Sequence, residues 1–139
     1  ENEDIPSNLA EKEMVETNFF YSPIKGIISN SYNPKKGHFG IDVVAPKNST
    51  INATLSGSVL FTSWTLDDGN VIILYHGGDL VSVYKHNSKL LKKVGDKVKS
   101  GDPIAIIGNT GENTDGTHLH FEIWQNGSSL DPQKLISFE

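Results

Sequence analysis

The segment HLHFEIWQ, His118 to Gln125, alternates between polar and apolar side chains. A period of two is that of a β-strand, whose successive side chains point to opposite faces. One face carries Leu119, Phe121 and Ile123, a set suited to a core. The other carries His118, His120, Glu122 and Trp124. Two imidazoles and a carboxylate in line do not belong in a core, and a wet face has no particular use for them. The strand is therefore expected to border a site as well as a core.

Outward from this strand the chain keeps the same pattern. The runs GIISNSY, HFGIDVVAP, TINATLSG, SVLFTSWT, NVIILYH, LVSVYKHN and DPIAIIGN read as short strands. Between them lie LDDGN, HGGD, VGDKVKSGD, NTGENTDG and QNGSS, rich in the residues that make turns. Close strands with tight turns predict an all-β fold, a mainly antiparallel β-sandwich. Only the end departs: in LDPQKLISF, Asp131 caps and Pro132 opens a short C-terminal helix. Residues 1–18 are acidic and polar and read as a linker or arm, with Ser7 or Asn8 capping a short helix in LAEKEMVE. Residues 19–139 then form the domain. The chain starts without Met and is expected to be a trimmed product, open to an upstream membrane anchor.

Composition narrows the chemistry. At 139 residues and 36% hydrophobic, the chain can build one domain with a real core. A net charge of −5 argues against nucleic acid as a partner, which wants a basic surface. There is no cysteine, so a disulfide framework and a thiolate metal site are excluded. No run approaches the ~18 apolar residues of a membrane span.

Five histidines are present: His38, His76, His86, His118 and His120. Strand parity places His38, Gly40 and Asp42 on one face of HFGIDVV, opposite Phe39, Ile41 and Val43. It aligns Leu80, Ser82, Tyr84 and His86 in LVSVYKH. The small Gly40 is expected to leave room above the sheet for a ligand. A catalytic zinc takes three ligands from His and carboxylate and keeps one position open. His38, Asp42 and one member of the His118/His120 pair would supply that set. The remaining member and His86 would then serve as proton shuttle and oxyanion stabiliser. His76, in the turn YHGGD, reads as an ordinary satisfied histidine.

Together these residues carry a resemblance. HFGID is similar to the His-x-Gly-x-Asp motif of the lysostaphin-type (LytM) zinc metallopeptidases, YKH to their Tyr-x-His, and GTHLHFE to their His-Leu-His-Phe-Glu. The match runs from about Gly26 to Phe138. It implies an antiparallel β core with a narrow groove holding one Zn2+ on His38, Asp42 and His120. It further implies His86 and His118 as the catalytic histidines, and the peptide cross-links or bridges of bacterial peptidoglycan as substrate. A place in the cell envelope, periplasmic or extracellular, and a monomeric protein are the accompanying expectations. A degenerate, non-enzymatic regulator of wall hydrolases is the alternative, although every ligand position is kept. Three departures from the family pattern stand out: no Arg in NSYNPKKGH, Asn87 after the Tyr-x-His motif, and Thr117 where Pro is usual.

Other features read more plainly. Lys85, Lys89, Lys92, Lys93, Lys97 and Lys99 are expected on a solvated loop and strand edge rather than as a docking surface for anionic polymer. Trp64 is expected to be partly buried packing. Tyr84 suits a groove or a core hydroxyl equally. Glu122 suits a ligand-orienting carboxylate or a surface one equally.

Overall fold

The computed structural model describes residues 19–108 and 117–139. The expected arm over residues 1–18 and the turn NTGENTDG lie outside that range. Among the described residues ten strands form: β1 (Ile27–Asn30), β2 (Ile41–Val44), β3 (Thr50–Asn52), β4 (Gly57–Thr65), β5 (Gly69–Tyr75), β6 (Leu80–Leu90), β7 (Lys97–Val98), β8 (Pro103–Ile107), β9 (His118–Gln125) and β10 (Ser128–Leu130). All pair antiparallel, in the order β1-β2-β9-β6-β5-β4-β7, and the sheet stays open. Eight strands match the runs expected from the sequence. The two extra ones are short: β7 lies in the Lys-rich connector, and β10 continues from the QNGSS turn to pair with β9.

The two layers expected of a sandwich are joined through one strand. From Leu80 to Lys85, β6 pairs with β9. From Asn87 to Leu90 it pairs instead with β8, which in turn pairs with β3. A strand that changes partner in this way makes a corner. Between the layers, Ile41 and Val43 of β2 and Leu119 and Phe121 of β9 join Ile51, Ile104 and Ile107 from β3 and β8 in one core. Each of these is at most 2% exposed. A buried side chain of this kind contributes about 1.5–3 kcal/mol.

The expected C-terminal helix is a 3-10 turn over Pro132–Lys134, and the Asp131 side chain accepts from the Gln133 N–H at 3.0 Å. Among the described residues no helix is long and apolar enough to cross a membrane.

Candidate metal centre and its groove

Strands β2 and β9 lie side by side, and their register sets the site. Asp42 stands opposite His120, and Val44 opposite His118. Cross-strand partners share a face, so Asp42 and His120 project together while Ile41, Val43, Leu119 and Phe121 fill the core. The parity expected for β9 holds along its whole length, with Leu119, Phe121 and Ile123 at 1% exposure or less.

Parity at the start of HFGIDVV does not hold, because β2 begins only at Ile41. Phe39 is not a core residue; it is 39% exposed and packs beside Trp124, ring centroids 5.9 Å apart. His38 sits in a bridge with Asn33, folded back over a turn at Pro34–Lys36. Gly40 is also corrected. A Cβ there would lie 2.3 Å from the Phe121 carbonyl oxygen and 2.7 Å from Glu122 Cγ. The glycine admits β9 at close range; it does not leave ligand space.

The side chains converge. Asp42 Oδ1 is 2.7 Å from His120 Nδ1, and Asp42 Oδ2 is 3.3 Å from His38 Nε2. His38, Asp42 and His120 each offer a ligand atom within 4.8 Å of the others. His38 Nδ1–H donates to the Ser31 carbonyl at 2.8 Å, which leaves Nε2 as the lone-pair nitrogen. That Nε2 is buried and makes no hydrogen bond. A fixed tautomer with a buried, unspent lone pair aimed at a carboxylate is what a metal-ligating histidine needs. Two imidazoles and one carboxylate suit zinc, so the residues present fit the ion.

His118 and His86 line the same groove. His118 Nε2 lies 3.9 Å from Asp42 Oδ1, and its ring centroid is 5.2 Å from that of His86. His86 arrives by a route that parity does not foresee. Leu80, Ser82 and Tyr84 are buried on the core face, Tyr84 opposite Phe121. Simple alternation would send His86 after them. Instead its φ is +68°, a left-handed backbone rare outside glycine, at the point where β6 changes partner. The bend turns the imidazole onto the groove side. It is held by the His86 N–H, which donates to the Asp68 carbonyl, and by the Asn87 side chain, which donates to the Asn70 and Tyr84 carbonyls. The departure at Asn87 is thus a structural brace.

Lys85 was expected on a solvated edge and is found in the groove. It stands opposite His120 across β6 and β9, with its ammonium 3.4 Å from Asp68 and 3.6 Å from Glu122. Once Tyr84 is known to be core, parity places Lys85 on the site face. Sequence reasoning also missed Asp68 and the Ser31 carbonyl, which no local pattern marks. Of the other lysines, Lys89, Lys93, Lys97 and Lys99 are exposed as expected, and Lys92 is half-buried. Trp64, expected to be partly buried, is 58% exposed. It does not line the groove.

Charge in the groove is strongly coupled. Burial pushes the His120 imidazole down, but hydrogen bonds to Asp42 and Glu122 overcome this and raise it to about 8. Burial would raise Glu122; the His120 and Trp124 hydrogen bonds and the Lys85 charge bring it down to about 2. Asp42 is likewise held below the ordinary carboxylate range, burial being outweighed by the hydrogen bond from His120 and the neighbouring imidazoles.

Comparison with known proteins places this geometry. The model of peptidase family M23 matches residues 36–132, which span the whole constellation. The chain belongs to peptidase family M23. Among its M23 relatives, the "Murein hydrolase activator NlpD" of Salmonella dublin is 38% identical over 111 residues, covering 79% of this chain and 29% of the relative. The "Peptidoglycan DD-endopeptidase ShyC" of Vibrio cholerae is 34% identical over 117 residues, covering 78% of this chain and 27% of the relative. The chain thus spans under a third of the length of these relatives. A "zinc containing peptidase" from Vibrio cholerae superposes with a TM-score of 0.78 at 28% identity, over 86% of this chain and 40% of that one. Lysostaphin from Staphylococcus simulans superposes at 0.67 and 30% identity, over 84% and 52%.

Proposed function

We propose that this M23 domain is a zinc-dependent endopeptidase of the bacterial envelope, cutting peptide bonds in the cross-links or bridges of peptidoglycan. The observation that carries this reading is the buried His38 Nε2, which makes no hydrogen bond, converging with Asp42 and His120 beside two further imidazoles. His38, Asp42 and His120 would hold the metal. Bound there, zinc supplies Lewis acidity and a water acidified toward neutral pH.

The chain's own residues do the rest. His118 and His86 stand over Asp42 and His120 and take the proton released as water attacks the scissile carbonyl. They also steady the negative charge that develops on the carbonyl oxygen, in a groove where burial strengthens each such contact. Asp42 completes the ligand set, its Oδ1 lying 2.7 Å from His120 Nδ1 so that the two donors face the same point.

The test compares wild type, His120→Ala and chelator-treated protein on purified peptidoglycan. Wild type is expected to release soluble fragments, and the other two to release none. Equal release from all three would sink the reading.

A second reading is favoured by one observation. Several relatives at 35–38% identity are named as activators or lipoproteins rather than as peptidases, which suits a regulator of wall hydrolases. The two readings part on metal. A regulator need not take up zinc, whereas an endopeptidase takes one ion per chain.

A further inference from the structure

Resting on the zinc reading above, we infer that Glu122 is a positioning residue for the metal, one that aims His120. His120 is the only proposed ligand with both ring nitrogens in carboxylate contacts: Nδ1 faces Asp42 Oδ1 and Nε2 faces Glu122 Oε2, each at 2.7 Å. The Nδ1 side is shared with Asp42, and His38 Nε2 lies across from it. The Nε2 side is not. A histidine ligand must surrender one nitrogen to the ion and keep the proton on the other. Glu122 accepts that proton's hydrogen bond and so assigns Nδ1 to the metal.

Glu122 can do this because its own position is over-determined. Its Oε1 accepts from Trp124 Nε1–H at 2.8 Å, two residues along the same face of β9. Its Oε2 faces the Lys85 ammonium at 3.6 Å, and that ammonium is anchored on its other side by Asp68 at 3.4 Å. Both oxygens are thus engaged, and the residue is only 8% exposed. The chain of contacts runs from Asp68, at the β4–β5 turn, through Lys85 and Glu122 to His120. His38 shows the same logic with a different acceptor, the Ser31 carbonyl on its Nδ1. Each proposed histidine ligand has a partner on the nitrogen that faces away from Asp42.

The role is measurable without turnover. Metal-free chain is titrated with zinc against a chromophoric chelator, for wild type, Glu122→Ala and Trp124→Phe. Glu122→Ala is expected to weaken zinc binding about 10–100-fold. Trp124→Phe removes one donor to Glu122, and a smaller loss of about two- to tenfold is expected. Proton NMR of the zinc-loaded chain supplies the second reading. The His120 Nε2–H resonance, protected from solvent exchange in wild type, broadens in both variants. Wild-type affinity together with an unchanged resonance in Glu122→Ala would overturn the inference. Should Glu122→Ala fail to fold, Trp124→Phe decides by the same two measurements. A wild-type chain that takes up no zinc overturns the metal reading itself, a result distinct from an unaffected variant.

Discussion

Two chains of polar side chains cross this sheet on opposite faces, and they are built alike up to a point. On the core side, His76 Nδ1–H donates to the Ser56 carbonyl at 2.9 Å, and His76 Nε2 accepts from Ser82 Oγ at 2.7 Å. Ser82 accepts from the Tyr84 hydroxyl at 2.8 Å, whose oxygen accepts the Thr54 N–H at 3.1 Å. Every group has its partner, and the row ends on backbone at both ends. On the groove side, Trp124, Glu122, His120 and Asp42 form a comparable row, but it ends at His38 Nε2, which has no hydrogen bond. A closed row of buried polar groups is structure. A row left open at a lone pair points to an ion.

The largest effect that tests this contrast is catalytic. Under the endopeptidase reading, His118→Ala and His86→Ala each lower kcat by about 10²–10⁴-fold while leaving zinc content at one per chain. Metal analysis beside a peptidoglycan assay checks both halves. Loss of zinc in His118→Ala would move that residue into the ligand set.

A smaller effect is expected on the closed row. Tyr84→Phe strands the Thr54 N–H, removes the donor to Ser82 Oγ and should cost about 1–3 kcal/mol of folding stability, read from urea unfolding. Zinc affinity should not change. A drop in zinc affinity without a drop in stability would mean that the two faces are coupled.

The smallest effect is in pH, and the two histidines differ in sign. In metal-free chain the folded His120 holds its proton up to about 8, above the unfolded value near 6.5. Its contribution, about 1–2 kcal/mol, is full below pH 6.5 and fades as pH rises through 8. His76 is held below its ordinary value by burial, so its contribution is full above pH 6.5 and fades as pH falls below that. Urea midpoints of metal-free protein across pH 5–9, with and without His76→Gln, separate the two. A flat profile above pH 6.5 would show that His120 is not charged in the folded chain.

How much was legible beforehand depends on the strand. On β9, counting by two placed all seven residues from His118 to Trp124 on their observed faces, because the strand is regular and one face must be apolar. The same counting failed on β6. It kept His86 with Tyr84 and left Lys85 on a solvated edge, whereas Tyr84 is fully buried and Lys85 stands beside Glu122. Parity assumes one backbone conformation along the strand, and a single residue at φ +68° breaks it. Gly40 failed for another reason. Its neighbour is the carbonyl of Phe121, 81 positions along the chain, and no local pattern reports a contact of that range.

The sequence by itself determined eight of the ten described strands, the inward faces of β2 and β9, and the donor types available to a metal. These follow from local periodicity and from side-chain chemistry. Only the tertiary structure decided which nitrogen of His38 is spent, that His86 turns into the groove, and that Glu122, Trp124 and Lys85 stand behind His120. Those depend on register between distant strands and on one left-handed residue, neither of which a period of two can carry.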